Sequence, residues 1–228
     1  MKFIIGNWKM NGTMADKASL FKSLKNTKTH NKIIMCLPFT LLNGDNFGIT
    51  IGAQDLSNHE NGAYTGDISG TMLKKSGVKY VLVGHSERRL YHNETNDIVK
   101  EKAIMAIKNS IIPIICIGET AKEKQSGKTI SVIKKMIAEC TPNNGKYIIA
   151  YEPRWAIGTG LTPSTNEITK IFQEIHNITN KNIPLVYGGS VNQTNAKDII
   201  ALPYVDGLLI GGASLKSKTF LPIIKSIN

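Results

Sequence analysis

Cysteine is scarce: three residues in 228, at positions 36, 116 and 140. Cys36, Cys116 and Cys140 have no metal-ligand spacing, and any disulfide scheme leaves one over. No metal site is expected, and a reducing, cytoplasmic setting fits best. Long apolar runs are missing as well, so no segment is expected to span a membrane or bind within one. The opening MKFIIGNWKM is interrupted by Asn7 and Lys9 before it reaches the length of a secretory signal. Acidic residues are few: 17 Asp and Glu stand against 28 Lys and Arg, for a net charge of +11. That imbalance favours anionic partners such as nucleic acid, acidic membranes or phosphorylated small molecules. The lysines are spread with asparagines along the whole chain and form no run, which argues against nucleic acid. There is no linker, low-complexity tract, dinucleotide fingerprint or Walker loop, and no cofactor is expected.

What is present is a repeat of short Ile- and Val-rich runs: KFIIGNW, KIIMCLP, GITIGAQ, KYVLVGH, IIPIICIG, YIIAYEP, IPLVYGG and VDGLLIGG. Near-continuous apolarity of this kind suits parallel strands covered on both faces. Between them lie segments with helical periodicity, such as residues 93–108 and 166–178. With 41 % hydrophobic residues the chain can bury a large core, and a barrel, a doubly wound sheet or two small domains would all fit its length. Eight strand–helix repeats favour one (β/α)8 barrel over residues 1–228.

In such barrels active sites gather where the strands end. Asn7 and Lys9 follow the first run, His85, Ser86 and Glu87 the fourth, Cys116 and Glu119 the fifth and Glu152 the sixth. The last two runs end in Gly188-Gly189-Ser190 and Gly211-Gly212. Glycines there let backbone N–H groups approach a phosphate. Lys9 offers charge for a developing oxyanion, against the ordinary fate of a solvated lysine. His85 opens a helix, where the positive dipole end favours a neutral ring, although a lone histidine is more often a hydrogen-bonded structural one. Glu152 ends an apolar strand, a costly place for a carboxylate unless it is paired, solvated or used. Shut away from water, it suits removal of a carbon-bound proton. Proton transfer beside a carbonyl of a phosphorylated substrate needs no more than this set.

The motifs GNWKMN, AQDLS with GAYTGDIS, VLVGHSERR, CIGE, AYEPRWAIGTG, YGGSV and DGLLIGGASL resemble those of the triosephosphate isomerases, in that family's order and over essentially the whole chain. The resemblance implies a glycolytic and gluconeogenic isomerase of dihydroxyacetone phosphate and glyceraldehyde 3-phosphate, with Glu152 as base, His85 as electrophile, and Lys9 and Asn7 binding substrate. It implies phosphate held by Gly158, Ser190, Gly211 and Gly212, and a lid of Pro153, Arg154, Trp155, Ala156, Ile157, Gly158, Thr159 and Gly160, with Ile157 and Leu209 closing over the base. It further implies a homodimer through the Gly62–Gly66 loop, whose Thr65 reaches the other subunit's Asn7 and Lys9. The rivals are another phosphate-binding barrel enzyme and a basic, non-catalytic binding protein.

Two departures from the family pattern stand out. Arg154 replaces a small apolar residue in the lid's first hinge. Pro163 stands where members of the family offer a backbone N–H to the hydroxyl of the tyrosine matching Tyr187, and proline has none to give. The chain is also shorter than the roughly 250 residues usual for this architecture, which places the losses in helices and connections.

Overall fold

Each of the eight apolar runs becomes a parallel strand of the computed structural model, which describes residues 1–156, 160–179 and 182–227. The strands are β1 (Phe3–Asn7), β2 (Lys32–Leu37), β3 (Thr50–Ala53), β4 (Tyr80–Val83), β5 (Ile112–Ile117), β6 (Ile148–Tyr151), β7 (Leu185–Tyr187) and β8 (Gly207–Ile210). They pair in sequence order, and β8 closes on β1 with Ile5 opposite Leu209. The result is a (β/α)8 barrel.

Alternation along the strands sorts the apolar side chains into two cores. Ile5, Ile34, Cys36, Leu82, Ile114, Cys116, Ala150, Val186 and Leu209 fill the inside of the barrel. Their neighbours, such as Ile4, Met35, Val81, Ile115 and Ile149, pack outward beneath the helices. Both faces are therefore buried, as the unbroken apolarity of the runs requires.

The outer layer holds α1 (Met14–Lys25), α2 (Gly70–Lys75), α3 (Ser86–Tyr91), α4 (Asn96–Lys108), α5 (Ala121–Gln125), α6 (Thr129–Cys140), α7 (Thr165–Ile178), α8 (Ala196–Ile200) and α9 (Ser217–Ser226). Among the described residues no helix is long and apolar enough to cross a membrane. The expectation of a helix after every strand fails once. Between β2 and β3 the chain makes only a 3₁₀ turn, Phe39–Leu41. The sequence there, PFTLLNGDNFGI, carries a proline and two glycines that adopt positive φ, Gly44 and Gly48, which end any helix. Lys17 of α1 helps tie this connection down: its buried side chain donates to the Asn43 carbonyl at 2.7 Å.

One polar cluster sits inside the outer layer. Lys102 on α4 donates to both Asp55 oxygens, at 2.7 and 2.8 Å, and also to Glu94. Arg88 of α3 pairs with the same two acids, at 2.9 Å to Asp55. Two carboxylates and two cations thus join α3 and α4 to the end of β3, beside the strand ends that carry the site. Removing the more deeply buried cation, Lys102, leaves two buried acids with Arg88 alone to compensate them. Lys102→Met is expected to lower the unfolding free energy by about 3–5 kcal/mol; urea denaturation of the two proteins side by side would show it, and a change below roughly 1 kcal/mol would contradict this role.

Candidate active site

The two-residue period that fills the barrel continues past the last strand residues. Two positions beyond Ile5 comes Asn7, beyond Ala150 Glu152, beyond Val186 Gly188 and beyond Leu209 Gly211. Strand geometry therefore aims these residues at the barrel axis on its C-terminal side. They line one cavity of about 260 Å³ together with Lys9, His85, Ser190 and Gly212. A larger, apolar hollow of about 520 Å³ lies elsewhere, lined by Phe3, Tyr80 and Ile112, and carries no comparable set of reactive side chains.

Glu152 is 3 % exposed. Its Oε1 lies 3.3 Å from His85 Nε2, while its Oε2 is buried with no hydrogen-bond partner among the described residues. His85 caps α3, and its Nδ1 accepts the Glu87 backbone N–H at 3.3 Å. That acceptor role needs a free lone pair on Nδ1, which assigns the ring proton to Nε2, on the Glu152 side. Burial, the largest single influence, pulls the imidazole pKa down, but the Glu152 carboxylate by charge and hydrogen bond, together with Glu87, outweighs it and the net direction is upward. The Glu87 amide, donating to the Nδ1 lone pair, opposes the second proton that this pull invites. The Cys116 thiol also faces Glu152; burial first and then that carboxylate push its pKa well up, which keeps it protonated.

Lys9 adopts φ 52°, a left-handed conformation that costs a non-glycine residue energy. Its N–H donates to Asn7 Oδ1 at 3.0 Å, and its carbonyl accepts from Gln54 Nε2 at 2.9 Å. These bonds fix the strained backbone and present the ammonium to the cavity, where Glu87 Oε1 holds it at 2.6 Å. The Gln54 and Glu87 contacts join residues 45 and 78 positions apart, so sequence reading alone does not pair them.

The glycine turns divide their labour. A Cβ on Gly188 would lie 2.7 Å from Glu152 Cγ, and one on Gly189 would lie 2.1 Å from the Tyr187 hydroxyl. This first pair makes room for side chains. Among the described residues, a Cβ on Gly212 would meet nothing within 4 Å, and one on Gly211 only Lys9 Cε at 3.6 Å. The second pair faces open cavity.

Of the residues expected in the lid, Pro153, Arg154, Trp155, Ala156 and Gly160 are described; Ile157, Gly158 and Thr159 lie outside the described residues. The entering side is anchored to the segment after β5: the Arg154 N–H donates to the Glu119 carbonyl at 3.0 Å, and Trp155 Nε1 to Glu119 Oε1 at 2.8 Å. Ser190 Oγ donates to the Ala156 carbonyl at 2.7 Å, and the Ser190 carbonyl accepts from Thr162 Oγ1 at 3.3 Å.

A parallel barrel that gathers a lysine, an imidazole and a buried carboxylate around one small cavity defines an acid–base barrel enzyme. The family model described as triosephosphate isomerase matches residues 2–227. A triosephosphate isomerase of Albidiferax ferrireducens is 43 % identical, covering 99 % of this chain and 98 % of its own. One from Nostoc is 41 % identical, covering 97 % of each. The crystal structure of triosephosphate isomerase from Bartonella henselae superposes with a TM-score of 0.88 at 34 % identity, covering 99 % of this chain and 98 % of that one. The chain belongs to the triosephosphate isomerase family, and it is an isomerase.

The Tyr187 hydroxyl is buried and without a hydrogen-bond partner among the described residues. An unsatisfied buried hydroxyl costs about 1–3 kcal/mol, so Tyr187→Phe is expected to be neutral or stabilising by about 1 kcal/mol and to cost less than about tenfold in kcat. Thermal unfolding and steady-state assays test this; a kcat loss of several hundredfold would show that the hydroxyl has a partner during turnover.

Proposed function

We propose that this chain interconverts dihydroxyacetone phosphate and D-glyceraldehyde 3-phosphate through an enediolate. The observation that carries the reading is the pairing of Glu152, buried with one oxygen that has no hydrogen-bond partner among the described residues, with His85 at 3.3 Å on a cavity that Lys9 also lines. Glu152 takes a proton from the carbon beside the carbonyl and returns it to the neighbouring carbon. His85 donates from Nε2 to the substrate oxygen and relays the proton between the two oxygens. Lys9 and Asn7 bind the substrate, and Lys9 stabilises the enediolate charge. Gly211, Gly212, Ser190 and Gly158 hold the phosphate, with the open space opposite Gly212 as support for the first two. Residues 153–160 form a lid that excludes water. Carboxylate base, neutral imidazole and lid are carried over from the family, for which they are the standing description; the distances are this chain's own.

The working unit in this reading is a cytoplasmic homodimer, each chain a single barrel domain. A hollow of about 580 Å³ opens beside Lys9 and His85, lined also by Met10, Gln54 and Tyr91. Met10 and Tyr91, both on its lining, are 96 % and 72 % exposed, apolar surface that a second chain would cover. The Gly62–Gly66 loop carries Tyr64, stacked on His59 with ring centroids 3.8 Å apart, and supplies a pre-shaped tip to fill that hollow in the other subunit.

Glu152→Gln keeps the shape and removes the base, and is expected to cost about a thousandfold in kcat in a coupled dehydrogenase assay of glyceraldehyde 3-phosphate turnover. A wild-type protein that is folded yet inert in that assay would overturn the reading. Light scattering is expected to give twice the chain mass of 25.0 kDa. Thr65→Arg is expected to yield monomers with kcat down about a hundredfold, as loosened placement of Lys9 implies; a monomeric and fully active variant would remove the dimer from the mechanism.

A further inference from the structure

Glu119, at the end of β5, is a carboxylate only 1 % exposed. It accepts from the Tyr151 hydroxyl, at 3.2 and 3.1 Å, and from Trp155 Nε1 at 2.8 Å. Tyr151 and Trp155 bracket Glu152 in sequence, so one buried acid clips both sides of the chain that carries the base. What holds the Trp155 side is less obvious, because this indole is half-buried and its donor could be satisfied by water as well.

Lys124 on α5 answers that. Its ammonium stands 3.5 Å from the centroid of the Trp155 ring, inside the range for a cation on an aromatic face. The same ammonium lies 3.3 Å from Glu167 Oε1 on α7. Glu167 is itself fixed, since its Oε2 accepts the Ser164 N–H at 2.8 Å in the capping box that starts α7. Thr120 and Glu123 form another such box at the start of α5. Lys124 is therefore held from both ends by capped helices. A cation on the ring face draws electron density from the indole and makes its N–H a stronger donor to Glu119.

We propose that Lys124 is a positioning residue for the isomerisation: by binding the Trp155 ring it secures the Trp155–Glu119 bond and with it the backbone that carries Glu152. This rests on the assignment of Glu152 as base. Lys124 does not line the active-site cavity, so its loss is expected to act on the chemical step and to leave phosphate binding alone. A displacement of the base by a fraction of an ångström is enough to matter, since misplacement by about 1 Å costs as much as a hundredfold.

The test compares wild type with Lys124→Met, Lys124→Arg and Glu167→Gln. Measured for each are kcat and KM for glyceraldehyde 3-phosphate, inhibition by inorganic phosphate, and Trp155 emission taken as the difference from Trp155→Phe, which removes the contribution of Trp8. Lys124→Met is expected to lower kcat about five- to twentyfold, with KM and phosphate inhibition within a factor of two, and to shift the Trp155 emission. Lys124→Arg, whose planar cation also stacks on rings, is expected to restore both. Glu167→Gln, which keeps the helix cap, is expected to show a smaller loss than Lys124→Met. Unchanged kcat and emission in Lys124→Met would overturn the proposal, and so would a Glu167→Gln effect as large as that of Lys124→Met, which would assign the role to the ion pair. If wild type itself is inert, the isomerase reading of the site fails separately, and the Trp155 emission alone then decides whether Lys124 holds the ring.

Discussion

A carboxylate 3 % exposed, with one oxygen unpaired among the described residues, is expensive, and the rest of the site is arranged around that expense. An ion taken out of water without partners costs several kcal/mol even after its surroundings relax. Strand pairing fixes where Glu152 sits, because its N–H donates to the Ile117 carbonyl at 2.7 Å. Gly118 lets the two strands come that close: a Cβ there would fall 1.9 Å from the Glu152 carbonyl oxygen. Gly188 then clears space for the side chain, and His85 supplies its partial partner. Positioning this carboxylate therefore consumes two glycines, a capped helix and a buried acid, Glu119, on the neighbouring strand end. In the proposed reaction, such an arrangement would hold a general base ready in a dry site.

The strain at Lys9 has the same logic. A left-handed backbone at a non-glycine residue persists only where its surroundings over-determine it. Asn7 and Gln54 bind its N–H and its carbonyl from either side, and Glu87 takes the ammonium. Glu87 also offers its own N–H to His85. Cation and imidazole are thus set relative to each other by one residue, which explains why the cavity's charges hold a fixed spacing although they come from β1 and α3.

The strands were legible because each is buried on both faces and reads as a continuous apolar run. Helices with clear periodicity, residues 93–108 and 166–178, were legible within a few positions of the observed α4 and α7. The β2–β3 connection was not, because counting repeats carries no information about which one is cut short, although Pro38, Gly44 and Gly48 marked it. Lys9, His85 and Glu152 could be picked as strand-end groups by physics, but each alone had an ordinary structural explanation, and the family motifs decided among them. Gly188-Gly189 and Gly211-Gly212 look alike in sequence. Only three-dimensional neighbours tell that one pair accommodates side chains while the other borders open space.

The contacts that reading along the chain missed share one property: they cross between units of the barrel. Glu119 to Trp155 spans 36 positions, Lys9 to Glu87 spans 78, and Lys124 reaches Trp155 and Glu167 from a helix of only five residues. A repeating fold makes each strand and helix recognisable from local pattern, since every unit meets the same burial constraint. Chemistry in such a fold depends instead on what adjacent units do to each other at one rim, and that is set by side-chain reach across the closed sheet. For this reason the local sequence pattern is a good guide to the scaffold and a poor one to the groups that hold a catalytic side chain in place.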